Sequence, residues 1–112
     1  DCFHPRDLAQ IILKQMQYSG TDRPRMVNLG GGLDNSFSLK QLSDWCASTI
    51  CEQGVAPSND ERPYDAPWIV MDSAVASEHW DWKAETSLDA IFAETLDHAK
   101  ANTDWLKISG VD

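Results

Sequence analysis

Three consecutive glycines, Gly30-Gly31-Gly32, interrupt the chain between a short apolar run and the start of a helix. No helix or strand interior tolerates such a run, because each glycine gives up more backbone freedom on ordering than any other residue. The preceding Met26-Val27-Asn28-Leu29 reads as a strand, Arg25 to Leu29. The following Ser38-x-x-Gln41 reads as a capping box, with Phe37 placed to staple onto Leu42. Strand, glycine loop and helix in this order form a grammar that handles phosphate-bearing ligands, because a ligand can approach bare backbone near a helix start. The alternative for the glycines is a flexible turn. The loop does not read G-x-G-x-x-G, because Asn35 stands where the third glycine belongs, so a dinucleotide site is not expected here.

The rest of the chain supplies helices and one more strand. His4 caps a helix running to Tyr18, with Pro5 at its first position and Asp7 in its first turn. Leu8, Ile11, Ile12 and Met16 form its apolar stripe, interrupted by Gln15. Ser19-Gly20-Thr21-Asp22 ends it. Leu39, Leu42, Trp45, Cys46 and Ile50 fill one face of the second helix. Gly54 to Asp60 is a polar loop containing Pro57. Pro67 to Asp72 reads as a second strand, and its unbroken Trp68-Ile69-Val70-Met71 implies cover on both faces. Asp72 or Ser73 caps a short helix through about Trp80, and Thr86 or Ser87 starts the last. Leu88, Ile91, Phe92, Leu96 and Ala99 give that helix its stripe, with Trp105 and Leu106 packing near its end. The expected class is therefore α/β and helix-rich, with two short strands and about four helices. Two short strands make a poor sheet alone, which implies partner strands elsewhere or in a second copy of the chain.

Length and charge narrow the function. The chain has 112 residues, room for one small domain over 1–112, and is 42% apolar. Its net charge of −9 disfavours nucleic acid and anionic membrane as partners. No apolar run approaches the ~18 residues of a membrane span. Cys2, Cys46 and Cys51 make an odd set with no metal spacing, which points to reduced thiols and a cytoplasmic setting. His4, His79 and His98 are scattered, with no second ligand at metal spacing, so no metal is expected. The tryptophans read as core, Trp68 being the one best placed to stack on a base or sugar.

Arg62-Pro63-Tyr64-Asp65 offers a forked donor for a diphosphate at Arg62 and an acceptor for sugar hydroxyls at Asp65. Taken cold, the same residues are an exposed arginine and a turn aspartate. No Tyr-x-x-x-Lys pair exists, since Tyr18 is followed four places on by Asp22 and Tyr64 by Trp68. No catalytic residue is expected within the chain.

Four segments, taken in order, are similar to one family. Asp1-Cys2-Phe3-His4-Pro5-Arg6-Asp7-Leu8 looks like its R-D-[FY]-[IL]-H-x-x-D-[LV] segment after the arginine. Val27-Asn28-Leu29-Gly30-Gly31-Gly32 looks like its [YF]-N-[LV]-G-x-G strand and loop. Arg62 to Asp65 looks like its R-x-G-D, and Asp72 to Trp82 like its D-x-x-K-A-x-x-x-L-G-W helix. The chain thus resembles the C-terminal part of extended short-chain dehydrogenase/reductases, the NAD-dependent nucleotide-sugar epimerases and dehydratases. Asn28 to Leu42 and Arg62 to Asp72 bring it nearest the CDP-paratose 2-epimerase (tyvelose epimerase) type.

The resemblance implies a fragment that completes a Rossmann-like parallel sheet and a small substrate domain in a parent enzyme. A nucleotide-diphosphate sugar would be the ligand, with Arg62 on the diphosphate, Asp65 on a ribose hydroxyl, and Asn28, Gly30 and Gly31 beside them. NAD would belong to a missing N-terminal Rossmann region, not to this chain, which alone would be inactive. In such an epimerase NAD takes a hydride from a sugar carbon and returns it to the other face. The alternative is a non-catalytic binding or oligomerisation module on the same scaffold, forming a homo-oligomer. Three positions depart from the family pattern. Tyr64 stands where most of the family has glycine, as it does in the CDP-paratose 2-epimerase type, Asp81 stands in place of a second glycine, and no lysine precedes Ala76.

Overall fold

The computed structural model describes residues 1–52, 54–56, 58, 63–64 and 66–108. These form four helices, with one further helical turn near the end. Helix α1 (Pro5–Gln17) is followed by a single 3-10 turn, Leu33–Asn35, and then by α2 (Leu39–Thr49). Helices α3 (Ala74–Trp80) and α4 (Leu88–Ala101) follow, and α5 (Trp105–Ile108) is the closing turn.

The helix starts follow from their caps. The His4 ring accepts the Arg6 backbone N–H at 3.0 Å, and Pro5 sits at the first helical position. Ser38 and Gln41 make the reciprocal capping box, 3.2 Å from Gln41 N–H to Ser38 Oγ and 2.7 Å from Ser38 N–H to Gln41 Oε1. Ser87 caps α4 through the Ala90 N–H. At α3 the work is divided. Asp72 accepts the Ala74 N–H at 2.8 Å, while the N-cap Ser73 turns its hydroxyl away to accept the Gly30 N–H at 2.9 Å.

The buried core is small: Ile11, Ala76, Trp80 and Trp82, with Phe3, Tyr18, Val27, Leu29 and Ala84 packed against it. Helix α1 lies on α3 across this core. Trp82 is its hub. It meets Phe3 edge-on at 5.7 Å and donates its indole N–H to the Asp7 carbonyl at 2.7 Å. A second cluster joins α2 to α4, where Phe92 takes Phe37 edge-on and Trp45 at a tilt, each at 5.0 Å. Polar links tie α1 to the start of α4. The buried Asp7 carboxylate accepts both the backbone N–H and the hydroxyl of Thr86, and Glu94 meets Arg6 and His4 at 3.1 Å. The shape is open, with a radius of gyration of 17.7 Å, against about 13 Å for a compact chain of 100 residues.

The two expected strands are corrected. Among the described residues there is no strand, so the observed class is helices and loops rather than α/β. Residues 25–29 keep the alternation of a strand: Val27 and Leu29 pack on the core, whereas Met26 is 89% exposed. What they lack is a ladder. The neighbouring Gly30 N–H goes to a serine hydroxyl and the Pro24 carbonyl accepts the Trp80 indole N–H at 3.2 Å. The segment 67–72 lacks the expected double cover as well. Trp68 and Ile69 are 67% and 62% exposed. A strand is a pairing and not a property of its own residues, and among the described residues neither segment has a neighbour with which to pair.

No helix among the described residues is long and apolar enough to cross a membrane.

Candidate ligand-binding site

The glycine loop closes tightly on the chain's own first residues. A Cβ at Gly31 would overlap the Cys2 carbonyl, and one at Gly30 would come within 2.5 Å of the Asp1 carboxylate and 2.7 Å of the Met71 side chain. Gly32 is glycine for another reason: its φ is +74°, in open space. The Asp1 carboxylate accepts the Gly32 N–H at 3.3 Å and the Met71 N–H at 3.2 Å. The Cys2 N–H donates to the Asn35 carbonyl at 3.1 Å, and the Asn35 amide donates to the Thr86 carbonyl at 2.9 Å. The close approach that the glycines permit is thus made, in this structure, by Asp1 and Cys2. Asn35 stands in place of a third glycine because it bridges the loop to α4 while buried.

The predicted site residues divide between cavities. Asn28 is exposed and lines a groove of about 580 Å³ with Leu8, Ile12, Met26, Asp72 and Val75. Gly31 lines a separate cavity of about 430 Å³ at the start of α4, flanked by Asp34, Glu85 and Asp89. Its carboxylates would repel an anion. Gly30 is buried between them. Arg62 and Asp65 lie outside the described residues, so the structure leaves the arginine and aspartate of that segment aside.

Two backbone torsions bear on the sequence pattern. Among the described residues only Tyr64, at φ 150°, and Asp81, at φ 46°, are non-glycine residues with positive φ. Asp81 is the left-handed cap of α3, and its N–H donates back to the carbonyls of Ala76 and Ser77. Glycine is the usual occupant of such a position because a Cβ is disfavoured there.

A third cavity, of about 250 Å³, escaped the sequence reading. Gln15, Tyr18, Gly20, Thr21, Arg23 and Arg25 line it, with Pro24 and Trp80. The Arg23 guanidinium lies 4.5 Å from the Tyr18 ring centre and 5.1 Å from that of Trp80, and the two rings meet edge-on at 5.5 Å. The signal was present as Arg23-Pro24-Arg25, two cations close together in a chain with 18 acidic residues.

Two of the three histidines keep to structural company. His4 caps α1 and meets Glu94, and His98 packs edge-on against Trp105 at 6.0 Å. Cys2 is half-buried, and burial raises its thiol above the ordinary value. Among the described residues no group of three His, Cys, Asp or Glu side chains is arranged to hold a metal ion.

No protein-family model, no curated protein and no solved structure matches the chain.

Proposed function

We propose that the chain is the nucleotide-sugar-binding portion of an NAD-dependent nucleotide-sugar epimerase or dehydratase. The observation that carries this reading is torsional. The resembled family has glycine where this chain has Asp81, and Asp81 is one of the two non-glycine residues with positive φ among those described. A backbone that keeps a glycine conformation after losing the glycine supports descent from that scaffold. In the parent, Arg62 grips the diphosphate, Asp65 holds a ribose hydroxyl, and the loop at Asn28, Gly30 and Gly31 shapes the wall beside them. NAD, bound by a separate Rossmann region, supplies the transient hydride acceptor. The groove along α1 and residues 25–29, which mixes aliphatic side chains with Gln15, Arg25, Asn28 and Asp72, is the seat for that region's sheet.

The test is the denatured mass of the native polypeptide captured from its source with an antibody to this chain. The reading requires a mass several times 12.5 kDa, with a glycine-rich NAD loop and a Tyr-x-x-x-Lys pair in the added sequence. A native polypeptide of this mass alone would sink it. The second reading, a non-catalytic assembly module, is favoured by one observation: Leu13, Met16 and Met26 are 56%, 77% and 89% exposed. It requires a homo-oligomer in light scattering of the purified chain.

A further inference from the structure

We infer that the cavity holding Arg23 and Arg25 is an anion site for a small phosphoryl group. Neither guanidinium has a carboxylate partner among the described residues, whereas Arg6, Lys14 and Lys40 are each paired. Asp22, the acid nearest in sequence, gives its carboxylate to the Tyr18 hydroxyl. Among the described residues no carboxylate lines the cavity. Two unpaired cations on one cavity repel each other, and an oxyanion that accepts from both removes that cost.

The arginines are held rather than loose. Arg23 is stacked on Tyr18 and Trp80, so part of its rotamer entropy is already spent before any ligand arrives. The residue between them is pinned too, because the Pro24 carbonyl accepts the Trp80 indole N–H at 3.2 Å. Gln15, together with the loop Gly20-Thr21, supplies neutral polar groups around the rim. On the far side of Arg23, Glu78 and Asp81 line an adjoining cavity, and Asp81 is engaged by Lys14 at 3.6 Å.

Size and charge choose the ligand. At about 250 Å³ the cavity falls below the ~300–1,000 Å³ of sites that enclose whole small molecules. It suits a phosphate or diphosphate group whose remainder stays outside. A polyanion is disfavoured, since the chain carries a net charge of −9. The inference uses neither Arg62 nor Asp65, but Gln15 and Arg25 also line the groove that the proposed function gives to the missing sheet.

The test is an NMR titration of the ¹⁵N-labelled chain with inorganic phosphate and, separately, pyrophosphate. The expected result is a saturable shift of the Arg23 and Arg25 side-chain N–H signals and the Gly20 and Thr21 amides. Arg25→Gln should weaken binding by about tenfold or more, as loss of a charge-assisted hydrogen bond implies. That arginine has no partner among the described residues, so the variant should fold as the parent does. Arg23→Lys keeps the charge and loses the fork, and should fall between. Tighter binding of pyrophosphate marks a diphosphate-bearing ligand, and equal binding a single phosphoryl group. Shifts that never saturate, or binding that survives Arg25→Gln, would overturn the inference.

Discussion

The Asp7 carboxylate accepts two hydrogen bonds from Thr86, the backbone N–H at 3.2 Å and the hydroxyl at 3.1 Å, across 79 residues of sequence. Asp7 is only 1% exposed. Removing it leaves a Thr86 N–H and hydroxyl without acceptors in a place that water does not freely reach. Asp7→Ala should therefore cost about 3 kcal/mol, read from urea unfolding. Thr86→Val should cost less, because the backbone N–H remains. A double-mutant cycle should give a coupling of about 1–3 kcal/mol, and additive losses would show that the pair does not interact.

The glycines of the chain should not be equivalent. Gly31→Ala drives a methyl group into the Cys2 carbonyl, which is backbone and cannot swing aside. It should cost more than about 2 kcal/mol. Gly54→Ala, with nothing within 4 Å, should change stability by less than about 0.5 kcal/mol. Thermal unfolding of both variants decides this, and equal midpoints would refute the steric account.

Asp81→Gly should stabilise the fold. The left-handed torsion at φ 46° burdens a residue with a Cβ, and glycine removes that burden. Its Lys14 partner is half-exposed, so the lost ion pair contributes little. The net gain should be about 0.5–1 kcal/mol. A loss in chemical denaturation would mean that the Lys14 contacts outweigh the torsion.

Cys2 and Cys51 should differ toward an alkylating agent. Cys2 is half-buried with its thiol raised by burial, whereas Cys51 is exposed. The thiolate is the reacting form, so iodoacetamide should label Cys51 first, and the Cys2 rate should keep rising to higher pH. The linkage has a fixed sign. A raised thiol favours the protonated form in the folded chain, so its contribution is intact below the unfolded value and is lost as pH climbs through the folded one. Peptide mapping after timed labelling gives the order, and faster labelling at Cys2 contradicts it.

The helices were legible because their signals are local. His4 with Pro5, Ser38 with Gln41, and Ser87 with the stripe after it each lie within a few residues of the start they mark, and the structure keeps all three. The strands were not legible in the same way. Residues 25–29 carry strand alternation, but pairing depends on a distant neighbour that local sequence does not describe. Long-range polar roles were equally hidden. Asp7 reads as an acid favouring a helix N-terminus, and the structure adds its burial against Thr86. Asn35 reads as a missing glycine, and the structure makes it a bridge to Thr86. Of the tryptophans, Trp80 and Trp82 are buried as core, whereas Trp68 is exposed. Of the site itself, the glycine loop was visible as a close approach, but not that Asp1 and Cys2 make it.

The contacts of α1 with Trp82 and Thr86 span 75 and 79 residues, and they set an order on synthesis. A ribosome makes the first helix long before its partners exist. Ile11 must wait in water, or on a chaperone, until the chain has grown past Trp82. Contacts this distant also fold slowly. This segment is therefore most vulnerable to aggregation while α1 waits, and a stop before Trp82 would leave α1 without the partners it closes on.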